Sequence, residues 1–163
     1  MPPSSFSEID LPAFCQDFCD QSPPHKVVIL RQYGLERYSQ LLCQLKPSPG
    51  NLRCLGKFFT QPDRMKFPQL QGTDLGGLDL SNTNMIRANF TEANLQNCNL
   101  QGADIIFGNF TRANLTQANL QGCTLHETCW QESIVIDCLL SDGKGIPLSQ
   151  KQVLLTKGAI FSD

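Results

Sequence analysis

The sequence predicts a short solenoid flanked by α-rich segments, and three observations carry that expectation. From Leu70 to Trp130 every fifth residue is large and apolar: Leu70, Leu75, Leu80, Met85, Phe90, Leu95, Leu100, Ile105, Phe110, Leu115, Leu120, Leu125 and Trp130. Two places before each centre the side chain is usually small (Ala88, Ala93, Cys98, Ala103, Ala113, Ala118), and the residue just before it is nearly always Asp or Asn from Asp74 to Asn119. On either side of this stretch the period is lost, and apolar residues return at helical spacing.

A period of five suits neither common element. On a helix, successive centres would step round by about 140° and wrap every face. On a straight strand an odd period sends successive centres to opposite faces. The chain must turn within each repeat to keep every centre inward. Asp, Asn, Gly, Ser and Thr suit such turns, because they tolerate left-handed geometry or bond their own backbone. One unit cannot bury its centre alone, so coils must stack.

The units resemble the pentapeptide-repeat family, A-(D/N)-L-X-X. Ala88-Asn89-Phe90, Ala93-Asn94-Leu95, Ala113-Asn114-Leu115 and Ala118-Asn119-Leu120 match closely, and the resemblance runs from residue 68 to about 132. It implies an all-β solenoid, a short right-handed quadrilateral β-helix with four pentapeptides per coil. Residues twenty apart then stack at about 4.8 Å, the spacing of neighbouring strands. Phe90, Phe110 and Trp130 become one interior column. Glu92, Arg112 and Glu132 form an outer charge ladder, and the stacked pairs Asn94/Asn114 and Asn99/Asn119 satisfy turn backbone groups.

Residues 1–66 read as an α-rich N-terminal segment that caps the solenoid. Asp10 can cap a helix through Leu11, Phe14, Cys15 and Phe18, with Pro12 tolerated in its first turn and Pro23-Pro24 ending it. Val27 to Leu30 fits a strand or a helix start. Leu35, Tyr38, Leu41, Leu42 and Leu45 fit one helical face that Pro47 stops, and Leu52 to Phe59 stays open. The segment's place is over the open N-terminal end, whose strand edges need covering.

The repeat β-helix occupies residues 67–142, with about three coils. Beyond Trp130, Ile134, Ile136 and Leu139 fill positions that were polar, so this wall should be covered. Residues 143–163 read as a C-terminal capping helix and tail. Ser149 caps a helix through Val153, Leu154 and Leu155, and Gly158 stops it.

The 163 residues carry a formal net charge of −2, which indicates neither a nucleic-acid-binding basic surface nor an acidic field. No apolar run approaches the roughly 18 residues of a membrane span, and the start MPPSSFSEID lacks a secretory pattern. The expected compartment is the bacterial cytoplasm, and the eight cysteines are expected to stay reduced. Cys98, Cys123 and Cys138 hold small inward positions, Cys98 and Cys138 are two coils apart, and Cys129 replaces an outward Asp/Asn. No CxxC pair or spaced His pair builds a zinc site.

Function follows less directly, because fold does not imply it. No nucleophile–base–orienter set can be assembled, so no catalytic residue, metal or cofactor is assigned. The leading reading is a non-enzymatic interaction or regulatory module, monomeric or weakly dimeric, whose partner is another protein. One alternative, implied by the resemblance, is a DNA mimic that inhibits or protects a bacterial type II topoisomerase; it needs an acidic stripe and a C-terminal dimer. Another is an enzyme or metal-binding regulator on Cys15, Cys19, His25, Cys43 and Cys54. The candidate protein-binding residues are Ile86, Arg87, Ile106 and Phe107. Ile86 and Ile106 replace polar residues twenty apart, and Phe107 points outward beside Arg87 and Glu127. The competing reading covers this wall with the N-terminal segment or the C-terminal helix.

Overall fold

Asp10 does open the first helix. In the computed structural model, which describes residues 10–64 and 66–162, its Oδ1 accepts the Ala13 N–H at 3.2 Å at the head of α1 (Leu11–Asp20). Pro12 sits in the first turn, where no helical N–H bond is lost. The chain divides into two units at Lys66 and Phe67.

In the first unit α1 turns its Cys15 and Phe18 into the core. The Pro23-Pro24 pair does not end α1, which stops at Asp20; it starts α2 (Pro23–Gln32), because a helix's first turn tolerates proline. Val27 to Leu30 is therefore helical. The expected single helix from Leu35 to Leu45 is broken. Gly34, at φ +68°, turns the chain into a 3₁₀ turn at Glu36–Tyr38, and α3 covers only Ser39–Leu42. Leu35, Tyr38, Leu41, Leu42 and Leu45 are nonetheless all buried. The apolar spacing marked the core face and overstated the continuity of the backbone.

The open stretch is α4 (Pro49–Thr60), capped by Ser48, whose Oγ accepts the Asn51 N–H at 3.1 Å. It packs on α1 through Gly56, where a Cβ would lie 3.3 Å from Leu11 Cδ2. Phe59 centres the core, edge-on to Phe14, Phe18 and Tyr33 at 5.0, 5.2 and 5.0 Å. Buried Lys26 donates to the Cys43 carbonyl at 3.2 Å and lies 5.7 Å over the Phe18 ring. That pairing meets the demand of a buried ammonium for partners.

The second unit is the solenoid, and its rungs are parallel bridges between residues twenty apart. Gln69 pairs with Asn89, Asn89 with Asn109, and Asn109 with Cys129; parallel ladders run through Asp74, Asp79 and Asn84. The Phe90 N–H, for example, donates to the Asn109 carbonyl at 2.8 Å. The expected β content takes the form of isolated bridges, and no longer strand occurs among the described residues. The reason is the turn in every repeat, centred on a left-handed residue two places after the inward one, such as Arg87, Glu92, Arg112 and Gln117 at φ of +55° to +59°. Such turns leave room for little more than one bridged residue per wall.

Every centre from Leu70 to Leu140 is buried. Phe90 and Phe110 stack at 5.1 Å and 3°, and Phe110 and Trp130 at 4.6 Å and 26°. The Oδ1 atoms of Asn94, Asn99, Asn114 and Asn119 accept the N–H two residues on, at 3.0–3.2 Å. This secures each turn with a side chain of its own repeat. The coils continue past the expected three: each of the four columns has at least four levels, Asn84–Asp104–Thr124–Lys144 among them, and the Asp79 column gains a fifth at Ile160.

Helix α5 (Leu148–Thr156) begins before Ser149, at Pro147, with no side-chain cap bond. Gly158, at φ +93°, follows its end. The tail then adds a rung. The Ile160 N–H donates to the Cys138 carbonyl and the Leu140 N–H to the Ile160 carbonyl, both at 2.8 Å. Ile134 and Ile136 are not covered, at 45% and 52% exposed. The tail pairs with the backbone edge of the last coil, and of α5 only Leu154 is buried.

Candidate functional site

The left-handed turn position builds the site. In column after column it holds Asn, Gln, Glu, Asp, Arg or Gly, residues that are polar or carry no side chain. Phe107 is the exception, at φ +60° and 50% exposed. A bulky ring is uncommon in this conformation. It does not earn its place by burial.

Its surroundings hold it upright. The Arg87 guanidinium, one coil below, lies 5.2 Å from the Phe107 ring centroid and 5.2 Å from that of Phe67. The three form a ring–cation–ring stack at the corner of the coil, each contact worth about 0.5–1 kcal/mol at an exposed site. Beside it stand Ile86 and Ile106, both half-buried. Ile86 is fixed by its N–H, which donates to Asn84 Oδ1 at 3.1 Å, and the Arg87 N–H donates to the Ile106 carbonyl at 2.8 Å. The four residues read from the sequence thus stand on one outer wall. Phe67 is a member the reading missed, although its distance of twenty residues from Arg87 was a usable signal.

The wall's polar margin adds two features. Asp104, bridged to Asn84, has its Oδ1 buried without a hydrogen-bond partner among the described residues. Glu127 continues the Arg87–Phe107 column, exposed, into a depression of about 340 Å³ shared with His126, Thr128, Pro147, Ser149 and Gln150.

The thiols fall into two groups, and all eight are free. Burial pushes Cys98, Cys123 and Cys138 up to about 12. Exposed Cys129 is held below the ordinary thiol range, first by its 3.4 Å hydrogen bond with the Thr111 hydroxyl and then by the Gln131 N–H. The N-terminal set does not assemble. Cys15 and Cys54 are core residues, His25 Nδ1 bonds the Ser22 hydroxyl at 3.0 Å, and among the described residues no three ligand-type side chains come together. No helix there is long and apolar enough to cross a membrane.

The repeat signature found by comparison with known families falls on the residues that form the rungs. Residues 69–105 and 98–129 match the signature of pentapeptide repeats, in eight copies. Among solved structures, the chain is similar to a pentapeptide repeat protein from the Arabidopsis thaliana thylakoid lumen, at 25% identity over 56% of this chain and 78% of that one, with a TM-score of 0.48. It is also similar to Rfr23 from the cyanobacterium Cyanothece 51142 (33% identity, 40% and 48% covered, TM-score 0.25). A third is HetL from Nostoc sp. strain PCC 7120, a pentapeptide repeat protein involved in heterocyst differentiation regulation (27% identity, 43% and 37% covered, TM-score 0.25). The chain spans less than half the length of these last two. No curated protein matches significantly. The sequence signature and the twenty-residue rungs fall on the same residues, so residues 69–129 are a run of pentapeptide repeats.

Proposed function

We propose that this chain is a non-enzymatic protein–protein interaction or regulatory module, built on a right-handed quadrilateral β-helix. It contacts another protein through Ile86, Arg87, Ile106 and Phe107, without metal or cofactor. The observation that carries this reading is Phe107, a half-exposed ring in a left-handed position otherwise polar or glycine. Rigid aromatic anchors braced by neighbours are what interface hot spots are made of, with Arg prominent beside them. A reducing bacterial cytoplasm accords with eight free thiols.

The DNA-mimic alternative calls for a continuous acidic stripe. The outer columns read Glu92–Arg112–Glu132 and Arg87–Phe107–Glu127, and Arg112 pairs with Glu92 at 2.6 Å. This interruption by basic and apolar groups favours the interaction reading.

The test combines Ile86→Asp with Phe107→Ser and reads both melting temperature and partner recovery by affinity capture from the native host. An interaction surface keeps its melting temperature and loses its partner. A collapse in melting temperature means the wall is a covered core and removes the proposal.

A further inference from the structure

A second surface feature lies in the first unit, independent of the outer wall. Helices α1 and α4 leave a groove of about 380 Å³ between them, lined by Leu11, Pro12, Leu52 and Gly56, with Arg53 and Lys57 at its rim. Its form follows from α4. Leu52 and Gly56 are four apart and share a helix face, and so do Arg53 and Lys57 in the adjacent row. Gly56 contributes no side chain, so the floor is α4 backbone against Leu11. Thr60 also lines the groove, but its hydroxyl already donates to the Gly56 carbonyl at 2.7 Å. The lining is therefore apolar apart from two cations.

Those cations are exposed, and among the described residues no carboxylate lines the groove and neither cation has an ion-pair partner. The imbalance extends to the segment: residues 1–66 hold eight Lys and Arg against six Asp and Glu, while 67–163 hold five against nine. An apolar slot with an unpaired cationic rim is complementary to a molecule with an apolar body and an anionic end.

Size selects among such molecules. From Leu52 to Thr60 the groove follows α4 for about 12 Å. A protein helix would need roughly 800 Å² of matching surface, far more than this slot offers. Its volume instead falls near the lower end of the roughly 300–1,000 Å³ typical of small-molecule sites. We propose that the α1–α4 groove binds a small, monomeric anionic amphiphile of the fatty-carboxylate class. The acyl chain lies along Leu11, Pro12 and Leu52, and the carboxylate sits between Arg53 and Lys57. Two charge-assisted contacts hold the head, and burial of methylenes holds the chain.

Laurate, titrated below its micelle-forming concentration into the full chain labelled at leucine methyls, tests this by NMR. The expected result is saturable shifts of the Leu11 and Leu52 methyls. Arg53→Glu with Lys57→Glu should weaken binding at least tenfold at an unchanged melting temperature, and Arg53→Lys with Lys57→Arg should retain it. Dodecyltrimethylammonium, with the opposite charge, should not bind the groove. Absent shifts, equal binding of the cationic amphiphile, unchanged laurate affinity in the charge-reversed variant, or binding only to anionic phosphatidylglycerol vesicles would each overturn the proposal.

Discussion

Phe110 and Phe59 occupy equivalent stations in the two units: each is a fully buried ring at the centre of an aromatic cluster. Phe110 meets Phe90 and Trp130, each twenty residues away, stacked nearly flat. Phe59 meets Phe14, Phe18 and Tyr33, at no common separation, all edge-on. In the solenoid one repeat rule fixes which side chains touch, because each coil lies in register on the one below. In the helical unit no rule in the chain pairs these rings. The packing of α1, α2 and α4 brings them together, and ring geometry follows the angles at which the helices meet.

The comparison is broken most directly at Phe110. Phe110→Ala removes both stacking contacts and leaves a cavity under a rigid coil, so denaturant unfolding should show a loss of about 3–5 kcal/mol. A loss below about 1 kcal/mol would mean that the column is not the solenoid's core.

Alkaline pH should separate the units next. Native Cys54, Cys98, Cys123 and Cys138 hold their protons up to about 12, whereas the ordinary thiol value is 9.0. Above that ordinary value the unfolded chain binds fewer protons than the native one, so stability falls as pH rises. The contribution is complete below about pH 9 and is lost progressively as pH climbs toward 12. Three of these thiols belong to the solenoid, whereas the helical unit holds Cys54 and Cys15, the latter pushed up to about 11, so the solenoid's urea midpoint should drop further than that of the helical unit. Cys98→Ala with Cys123→Ala should flatten the solenoid's profile. A flat profile in the unmodified chain would contradict the burial of these thiols.

Local hydrogen-bond devices should matter about equally in both units. Asp10→Ala removes the α1 cap, and Asn114→Ala removes the acceptor of the Thr116 N–H and hydroxyl bonds at 3.1 and 2.7 Å. Each should lower thermal stability by about 1 kcal/mol. A markedly larger loss at Asn114 would show that solenoid turns act cooperatively between coils. The smallest effect belongs to Arg112→Ala. Its ion pair with Glu92 is about half exposed on both sides, and such pairs contribute roughly 0–1 kcal/mol; calorimetry should find little change.

The candidate wall was legible for the same reason as the core. Ile86, Ile106 and Phe107 stand out because they break a polar pattern, and their separation placed them on one wall. What the pattern did not display was the environment of each group. The stacking of Arg87 between Phe67 and Phe107, and the orphaned Asp104 oxygen, depend on side-chain directions that a repeat leaves free. The α1–α4 groove was out of reach altogether, because Leu11 and Leu52 belong to helices far apart in the chain.

The sequence by itself determined the solenoid's inward residues, the aromatic column, the Asn-secured turns, the α1 cap and the core face of Leu35 to Leu45. In each case the information is local or repeats at a fixed interval, so spacing and hydrogen-bonding capacity suffice to read it. Only the tertiary structure decided that Pro23-Pro24 opens a helix, that Leu35 to Leu45 is broken after Gly34, and that the tail adds a rung at Ile160 and leaves Ile134 and Ile136 exposed. These are choices between local conformations of similar free energy. They are settled by contacts with residues distant in the chain, which no single segment encodes.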